Sequence, residues 1–186
     1  LRDVVTHDGT MLATARLTLR APAAADAPAL LAYHLRNDER ISRWEPRRSD
    51  EITAHARWIG WRADEAVAGR ARTWFSFDRQ APESVIGIVA LDAIAQAPEA
   101  TAMLSYSVDG RYEGHGYARE AVEAAVAYAF EELGLRSLSA NYDPDNARSG
   151  GLLKRLGFVE VARTPAIPGF ERNLRAQVLA LLARPG

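Results

Sequence analysis

The residues Arg111-Tyr112-Glu113-Gly114-His115-Gly116 stand directly before a stretch with helical periodicity, an order of residue types suited to holding a phosphate. In the stretch from Tyr117 to Phe130, Ala118, Ala121, Val122, Ala125 and Ala129 recur at the spacing of one helical face, with Leu133 continuing it. The first N–H groups of a helix lack intrahelical acceptors, and the macrodipole places roughly +0.5 charge beside them, so loop and first turn together attract an anion. Gly114 and Gly116 permit positive φ and let a ligand come close to the backbone. The spacing predicts a pyrophosphate ligand. Two commoner nucleotide patterns are excluded. Gly114-His115-Gly116-Tyr117-Ala118-Arg119 carries Arg where a dinucleotide fingerprint needs its third small residue, and the flanking strands read as antiparallel. No G-x-x-x-x-G-K-[ST] sequence occurs, and Lys154 is the only lysine. Taken alone, the same R-x-x-G-x-G also fits a purely structural turn.

The elements around this loop read in chain order as α+β. Residues 1–12 form an N-terminal arm with a break at Gly9, and 13–186 form one domain. Arg16 to Arg20 alternates polar and apolar as a half-buried strand that Pro22 ends, and Asp26 is placed to N-cap a helix bearing Leu30, Leu31 and Leu35. A second helix is expected from Ser49 or Asp50 to about Ala66, with Ile52, Ala56, Ile59 and Ala63 on one stripe. Trp58 and Trp61 lie on another face, where they either pack inward or offer an aromatic wall. Thr73–Phe77, Ser84–Leu91 and Met103–Val108 read as an antiparallel meander, separated by turns containing Pro82 and Pro98. After the loop and its helix come a strand from Ser137 to Tyr142 and a short helix from Asn146 to Leu156 that stops at Gly157. Phe158–Ala162 and Arg175–Leu182 follow as a closing strand pair, and Pro165, Pro168 and Gly169 between them mark a loop that could border a substrate site.

Composition narrows the function further. A chain of 186 residues with 48% hydrophobic and 25% charged residues can bury one substantial core. A formal net charge of −1 gives no electrostatic case for broad nucleic-acid or membrane binding. Without cysteine there is no disulfide, no thiolate metal site and no acyl-cysteine intermediate, so no metal is expected and any acyl transfer must be direct. No apolar run approaches the roughly 20 residues of a membrane span and no signal-type segment opens the chain, so a cytoplasmic location is expected.

Five stretches in order carry a resemblance to the GNAT superfamily of N-acetyltransferases, and within it to the RimJ/RimL type. They are Leu17-Thr18-Leu19-Arg20-Ala21-Pro22 with Asp26, the phosphate loop continued by Tyr117-Ala118-Arg119-Glu120-Ala121, Tyr128 to Leu135, Asn146-Ala147-Arg148-Ser149, and Arg155-Leu156-Gly157-Phe158. The resemblance implies a mixed, mostly antiparallel central sheet flanked by helices, and acetyl-CoA as co-substrate. It assigns Arg111, Glu113, Gly114, His115, Gly116, Tyr117 and Ala118 to the diphosphate of that molecule. It also implies that the strand ending at Val108 splays from its neighbour, so that backbone amides near Tyr106 to Val108 hold the acetyl carbonyl and pantetheine. Many members place a Tyr leaving-group donor where Leu153 stands here. Members of the RimJ/RimL type carry a Ser at the position of Ser149, which becomes the candidate to hydrogen-bond the coenzyme A sulfur, with helix capping as its alternative role. Asn146 either contacts pantetheine or fixes the Asp143-Pro144-Asp145-Asn146 turn. Gly150 and Gly151 replace larger residues of the family, and at roughly 1 kcal/mol each they should soften the helix that carries Ser149.

The general base is open in the sequence, because Met103 occupies the position where the family often has Glu. Glu45, Asp92 and Tyr142 are the candidates, with His55 and His115 behind them. Magnitudes favour one acceptor. At pH 7 an α-amine of pKa about 7.8 is over a tenth neutral, whereas a lysine-type amine near 10.4 is neutral about 0.04% of the time, a difference of roughly 3.5 kcal/mol. The expected activity is direct acetyl transfer from acetyl-CoA to an α-amine of a protein N-terminus or small amino compound. Alternatives are an antibiotic or polyamine acetyltransferase and a non-catalytic acyl-CoA-binding regulator. The resemblance is also compatible with a homodimer.

Overall fold

The computed structural model describes residues 11–44, 47–165 and 176–185. Within them the chain forms strands β1 (Met11–Ala13) and β2 (Leu17–Arg20), helices α1 (Ala27–Ile41) and α2 (Ile52–Val67), and strands β3 (Arg72–Asp78), β4 (Gly87–Ala95) and β5 (Thr101–Val108). Helix α3 (Tyr117–Glu131), strand β6 (Ser137–Tyr142), helix α4 (Ala147–Arg155) and strands β7 (Val159–Thr164) and β8 (Gln177–Ala183) complete it. The eight strands make one sheet in the order β1-β2-β3-β4-β5-β6-β8-β7, antiparallel except where β5 runs parallel to β6. This is the α+β architecture with a mixed, mostly antiparallel sheet that the sequence predicts. Glu45, residues 166–175, which hold Pro168, Gly169 and the expected strand start at Arg175, and the first ten residues of the arm lie outside the described residues. Met11 and Leu12, counted with that arm in the sequence, belong to β1 instead, and Leu12 is buried.

Both faces of the sheet are covered, which is why β3 is buried at every position from Thr73 to Asp78 rather than at alternate ones. Trp74, Val89, Leu91, Leu104 and Leu138 face α3 and its buried stripe of Val122, Ala125 and Ala129. Phe75 and Phe77 point to the opposite side, against Leu30 and Tyr33 of α1 and Ile59 of α2. Strand β4 begins and ends later than its sequence pattern suggests, so Asp92 sits within it, paired in register with Met103 of β5. Asp26 stands at the N-cap position of α1 but does not cap it with its side chain. Both carboxylate oxygens accept from Arg20 at 2.7 Å, and one also accepts from the Ala23 N–H at 2.7 Å. A bidentate ion pair outcompetes the neutral backbone donors of the helix start. Among the described residues no helix is long and apolar enough to cross a membrane.

Candidate active site

The parallel ladder joins Thr101–Met103 to Ser137–Ser139 and then stops, while β5 continues to Val108 and β6 to Tyr142. A splay therefore opens in the middle of the sheet, with the second half of β5 as one wall. Directly after it the chain turns through Asp109 into the loop. Asp109 is 2% exposed and accepts from Arg111 through N–H, Nε and Nη2, and from Arg36 of α1. Burial alone would raise its carboxyl pKa, but these hydrogen bonds outweigh burial and hold it well below the usual carboxylate range. Helix α1 contributes two further ties: Asn37 Oδ1 accepts from the Gly110 N–H at 2.9 Å, and Arg40 donates to the carbonyl of Val108.

Beyond that anchor the loop presents bare amides. Glu113 N–H bonds to Gly110 and Glu120 N–H to Gly116, but between them the N–H groups of residues 114–119 have no acceptor among the described residues. Gly116 is the N-cap of α3 at φ 83°, a left-handed conformation that a side chain would strain. Arg16 fixes the shape by donating to the His115 carbonyl at 2.9 Å and by lying over the Tyr117 ring at 4.2 Å. Glu120, in the first turn of α3, is held by Thr14 and by the N–H and guanidinium of Arg16. These open donors at a helix N-terminus fit a diphosphate. Two of the side chains expected beside them have protein partners. Arg111 is paired with Asp109, and Glu113 bridges Arg40 of α1 and Arg148 of α4, so Glu113 ties the loop to both helices.

Across the splay, Asn146 caps α4 by accepting from the Ser149 N–H at 3.2 Å, and its own N–H closes the preceding turn on the Asp143 carbonyl at 2.8 Å. Because Asn146 is the cap, the Ser149 hydroxyl is released for another contact, and it meets the phenol of Tyr106 at 2.9 Å. Burial raises the Tyr106 pKa, so the phenol stays protonated. Leu153, at the alternative donor position, is 1% exposed inside the core. The sequence assigned Tyr106 through its backbone. Its side chain reaches residue 149 across the fold, a pairing that no local pattern announces. Gly150 is explained by Tyr142: a Cβ at Gly150 would lie 2.7 Å from the Tyr142 ring. Tyr142 itself donates to Glu160 at 2.6 Å and lines a groove between α4 and β7.

On the other face, between α1, α2 and the exposed sides of β4 and β5, lies a cavity of about 440 Å³. Ser105, Tyr106 and Ser107 form part of its floor, and Trp58, Trp61, His34, His55, Arg62 and Asp92 line it. Trp58 stacks on Phe75, while Trp61 is 50% exposed beneath the Arg62 guanidinium, so the pair forms an aromatic wall rather than core alone. Asp92, a candidate base, is bound to buried Arg62 at 2.5 Å and accepts from Ser105 at 3.3 Å. His55 also lines this cavity, hydrogen-bonded to His34 of α1 at 2.8 Å. His115, in the loop before α3, is not among the residues that line this cavity.

A splayed parallel pair, a helix N-terminus with open amides on one side and a polar-aromatic cavity on the other together describe an acyltransferase that brings a phosphorylated donor and an acceptor to one gap. Residues 16–159 match the Acetyltransferase (GNAT) domain, and the chain belongs to this family. The [Ribosomal protein uS5]-alanine N-acetyltransferase of Escherichia coli (strain K12) is 30% identical over 180 residues, covering 94% of this chain and 91% of that protein. A ribosomal-protein-S5-alanine acetyltransferase from Vibrio fischeri superposes with a TM-score of 0.84 at 23% identity, covering 93% of this chain and 96% of that one. Mycobacterium smegmatis RimJ, solved in complex with CoA-disulfide, superposes with a TM-score of 0.81 at 20% identity over 90% of this chain and 81% of its own. The chain is accordingly an acetyl-CoA-dependent N-acetyltransferase of RimJ/RimL type, transferring acetyl to an amine.

Proposed function

We propose that the acceptor is the α-amino group of a peptide or protein N-terminus. The observation that carries this reading is the charge balance of the acceptor cavity. Asp92 is the one carboxylate among the described residues lining it, and buried Arg62 neutralises it, while Arg48 adds a further positive group. A polyamine or aminoglycoside would bring several ammonium charges to a wall with no carboxylate to spare, at a Coulombic cost that low local dielectric enlarges. A single α-amine, already partly neutral at pH 7, makes no such demand. The names of the Escherichia coli and Vibrio fischeri relatives point to the same acceptor class, a class that would place the enzyme in the cytoplasm.

In this reading acetyl-CoA supplies the thioester carbonyl, and the protein positions and polarises. The amides of residues 114–119 hold the diphosphate, and the open edge of β5 near Tyr106–Val108 holds pantetheine and the carbonyl. The Tyr106 phenol has both the Ser149 carbonyl, at 3.3 Å, and Ser149 Oγ, at 2.9 Å, within reach, and with the phenol as donor to Oγ the Ser149 proton is left for a hydrogen bond to the departing sulfur. A thiol of pKa about 8.5 is a tolerable leaving group, so a neutral donor suffices. Release of coenzyme A, read with a thiol reagent, tests the acceptor because the cysteine-free protein adds no background. Turnover with N-terminal peptides supports the proposal, and turnover confined to polyamines or aminoglycosides refutes it. Coenzyme binding without turnover across the whole panel would favour a regulator.

A further inference from the structure

Two imidazoles, twenty-one positions apart in sequence, meet in the wall of the acceptor cavity. His34 Nδ1 lies 2.8 Å from His55 Nε2, and His55 Nδ1 lies 2.9 Å from the main-chain carbonyl of Glu51. The protons on these rings follow from the ends of the chain. A carbonyl oxygen only accepts, so His55 Nδ1 carries hydrogen and, in the neutral ring, Nε2 is a bare acceptor. The contact to His34 therefore requires a proton on His34 Nδ1, which strips the proton from His34 Nε2. That nitrogen has no donor among the described residues. One turn of α2 thus dictates, through two hydrogen bonds, which nitrogen of a residue on α1 presents a free lone pair.

The place of His34 in the fold suits the chemistry, because it lines the cavity whose floor includes Ser105–Ser107. Tyr33, the residue before His34, donates its hydroxyl to Ser107 Oγ at 2.8 Å, so α1 is bonded to the strand that borders the splay. His34, His55 and the Ser105–Ser107 segment line one cavity. The other charged groups around the pair are committed or remote in function. Asp38 of α1 is held by Arg47, Asp92 of β4 is held by Arg62 of α2, and Arg48 adds positive potential from the segment before α2. Burial, then Arg48 and His55, lower the His34 pKa to about 4, so the ring is neutral over the physiological range.

We propose that His34 is the proton acceptor of the acetyl transfer and that His55 is the positioning residue that keeps its Nε2 open. The proposal rests on the N-acetyltransferase reading of the same cavity. The neutral amine attacks the thioester carbon, the C–N bond forms and the carbonyl pair moves to oxygen. The nitrogen, now positively charged and bonded to a carbon bearing oxygen and sulfur, has become far more acidic than the starting ammonium. Its proton passes to His34 Nε2, the oxyanion collapses and the C–S bond breaks. His34 returns its proton to solvent, and the thiolate, hydrogen-bonded by Ser149 as it departs, takes one from solvent, so each turnover balances and Ser149 keeps its own proton. Accepting at Nε2 leaves the Nδ1–H bond to His55 intact, so the pair survives the cycle.

Two measurements test this on the full chain. Imidazole ¹⁵N spectra of the wild type, assigned with His34→Gln and His55→Asn, should show His34 and His55 protonated at Nδ1 and bare at Nε2 at neutral pH. A proton on His34 Nε2 overturns the proposal, and this readout needs no substrate. Kinetically, His34→Ala should lower kcat by about 100-fold, within the range for general base catalysis, with coenzyme A affinity unchanged and kcat partly restored by added imidazole. His34→Gln serves the same comparison if the alanine variant does not fold. A loss under about 3-fold, or one that imidazole fails to restore while coenzyme A still binds, refutes the role because proton transfer typically contributes at least about 100-fold. The rates are taken on whichever amine the wild type acetylates fastest. Failure of N-terminal peptides as substrates therefore refutes the acceptor class alone, while the fate of His34 is decided by its own variants.

Discussion

The adjacent glycines of α4 should respond in opposite ways to the same substitution. Glycine in a helix interior costs roughly 1 kcal/mol relative to alanine. At Gly151 a new Cβ would meet nothing nearer than Arg155 Nη1 at 3.5 Å, an ordinary contact. Gly151→Ala should therefore recover about 1 kcal/mol, or about 2–4 °C in Tm for a chain of this size. At Gly150 the Cβ would lie 2.7 Å from Tyr142 Cε2 and 3.0 Å from Cζ. The ring must swing away, surrendering its packing on α4 and its hydroxyl bond to Glu160, a bond worth about 0.5–1.5 kcal/mol net. The propensity gain is cancelled, and Gly150→Ala should leave Tm unchanged or lower. In a Tyr142→Ala background the obstacle is gone, so Gly150→Ala should there stabilise by about 1 kcal/mol, a sign change that reports the coupling. Thermal melts of the four variants suffice. If Gly150→Ala raises Tm in the wild type as much as Gly151→Ala does, the Tyr142 ring does not occupy that space. The consequence reaches catalysis, since Ser149 is the neighbouring residue: Gly151→Ala should keep full activity, and Gly150→Ala should lose part of it.

Other expected outcomes concern the donor site, the cavity and acid stability. Ser149→Ala and Tyr106→Phe should each lower kcat by about 100-fold, and the double variant should be little worse than either, because the two hydroxyls act in series. Gly116→Glu should abolish coenzyme A binding in calorimetry, since it strains φ 83° and sets a carboxylate against the diphosphate. Asp92→Asn should cost about 3 kcal/mol in urea unfolding by leaving the Arg62 charge buried and unpaired, an effect on stability rather than on kcat alone. Stability should fall with acid in two windows. His34 is held neutral, so its contribution is present above about pH 6.5 and is lost as pH falls toward about 4. Asp109 is held ionised, so its contribution persists above about pH 4 and is lost only below. His34→Gln should flatten the first window in urea midpoints and leave the second, and Asp109→Asn should do the reverse.

What could be read in the sequence is what local forces decide. The glycine loop and α3 follow from two glycines and a 3.6-residue apolar stripe, and the antiparallel meander β3-β4-β5 follows from short connections, whereas β2 meets β3 across both α1 and α2 and β8 enters between β6 and β7. Contacts between distant residues were not legible. Tyr106 and Ser149 are separated by 43 positions and His34 and His55 by 21, and in each pair both residues carry generic local signals. Asp26 shows how a correct local signal is overridden: it stands at the N-cap, but Arg20 offers its carboxylate a charged bidentate partner. Gly150 and Gly151 look equivalent in sequence and differ only because the ring of Tyr142, eight residues earlier, covers one of them.

The arrangement of the site follows from the two-residue period of a strand. Successive side chains of β5 point to opposite faces. Tyr106 therefore turns toward α4 and meets Ser149, while Ser105 and Ser107 turn toward the acceptor cavity, where Ser105 reaches Asp92 and Ser107 receives the Tyr33 hydroxyl. Because β6 has already parted from β5, the backbone between these side chains is open toward the gap. In the proposed reading one strand thus gives its odd residues to the amine side, its even residue to the leaving-group side and its main chain to the carbonyl between them. A one-residue slip of β5 against β4 would exchange the two sides, placing the phenol in the acceptor cavity and a serine against α4. The register Val89 to Tyr106 is held by the buried ladder between Gly87 and Asp92, so the core that stabilises the sheet also assigns each face its chemistry.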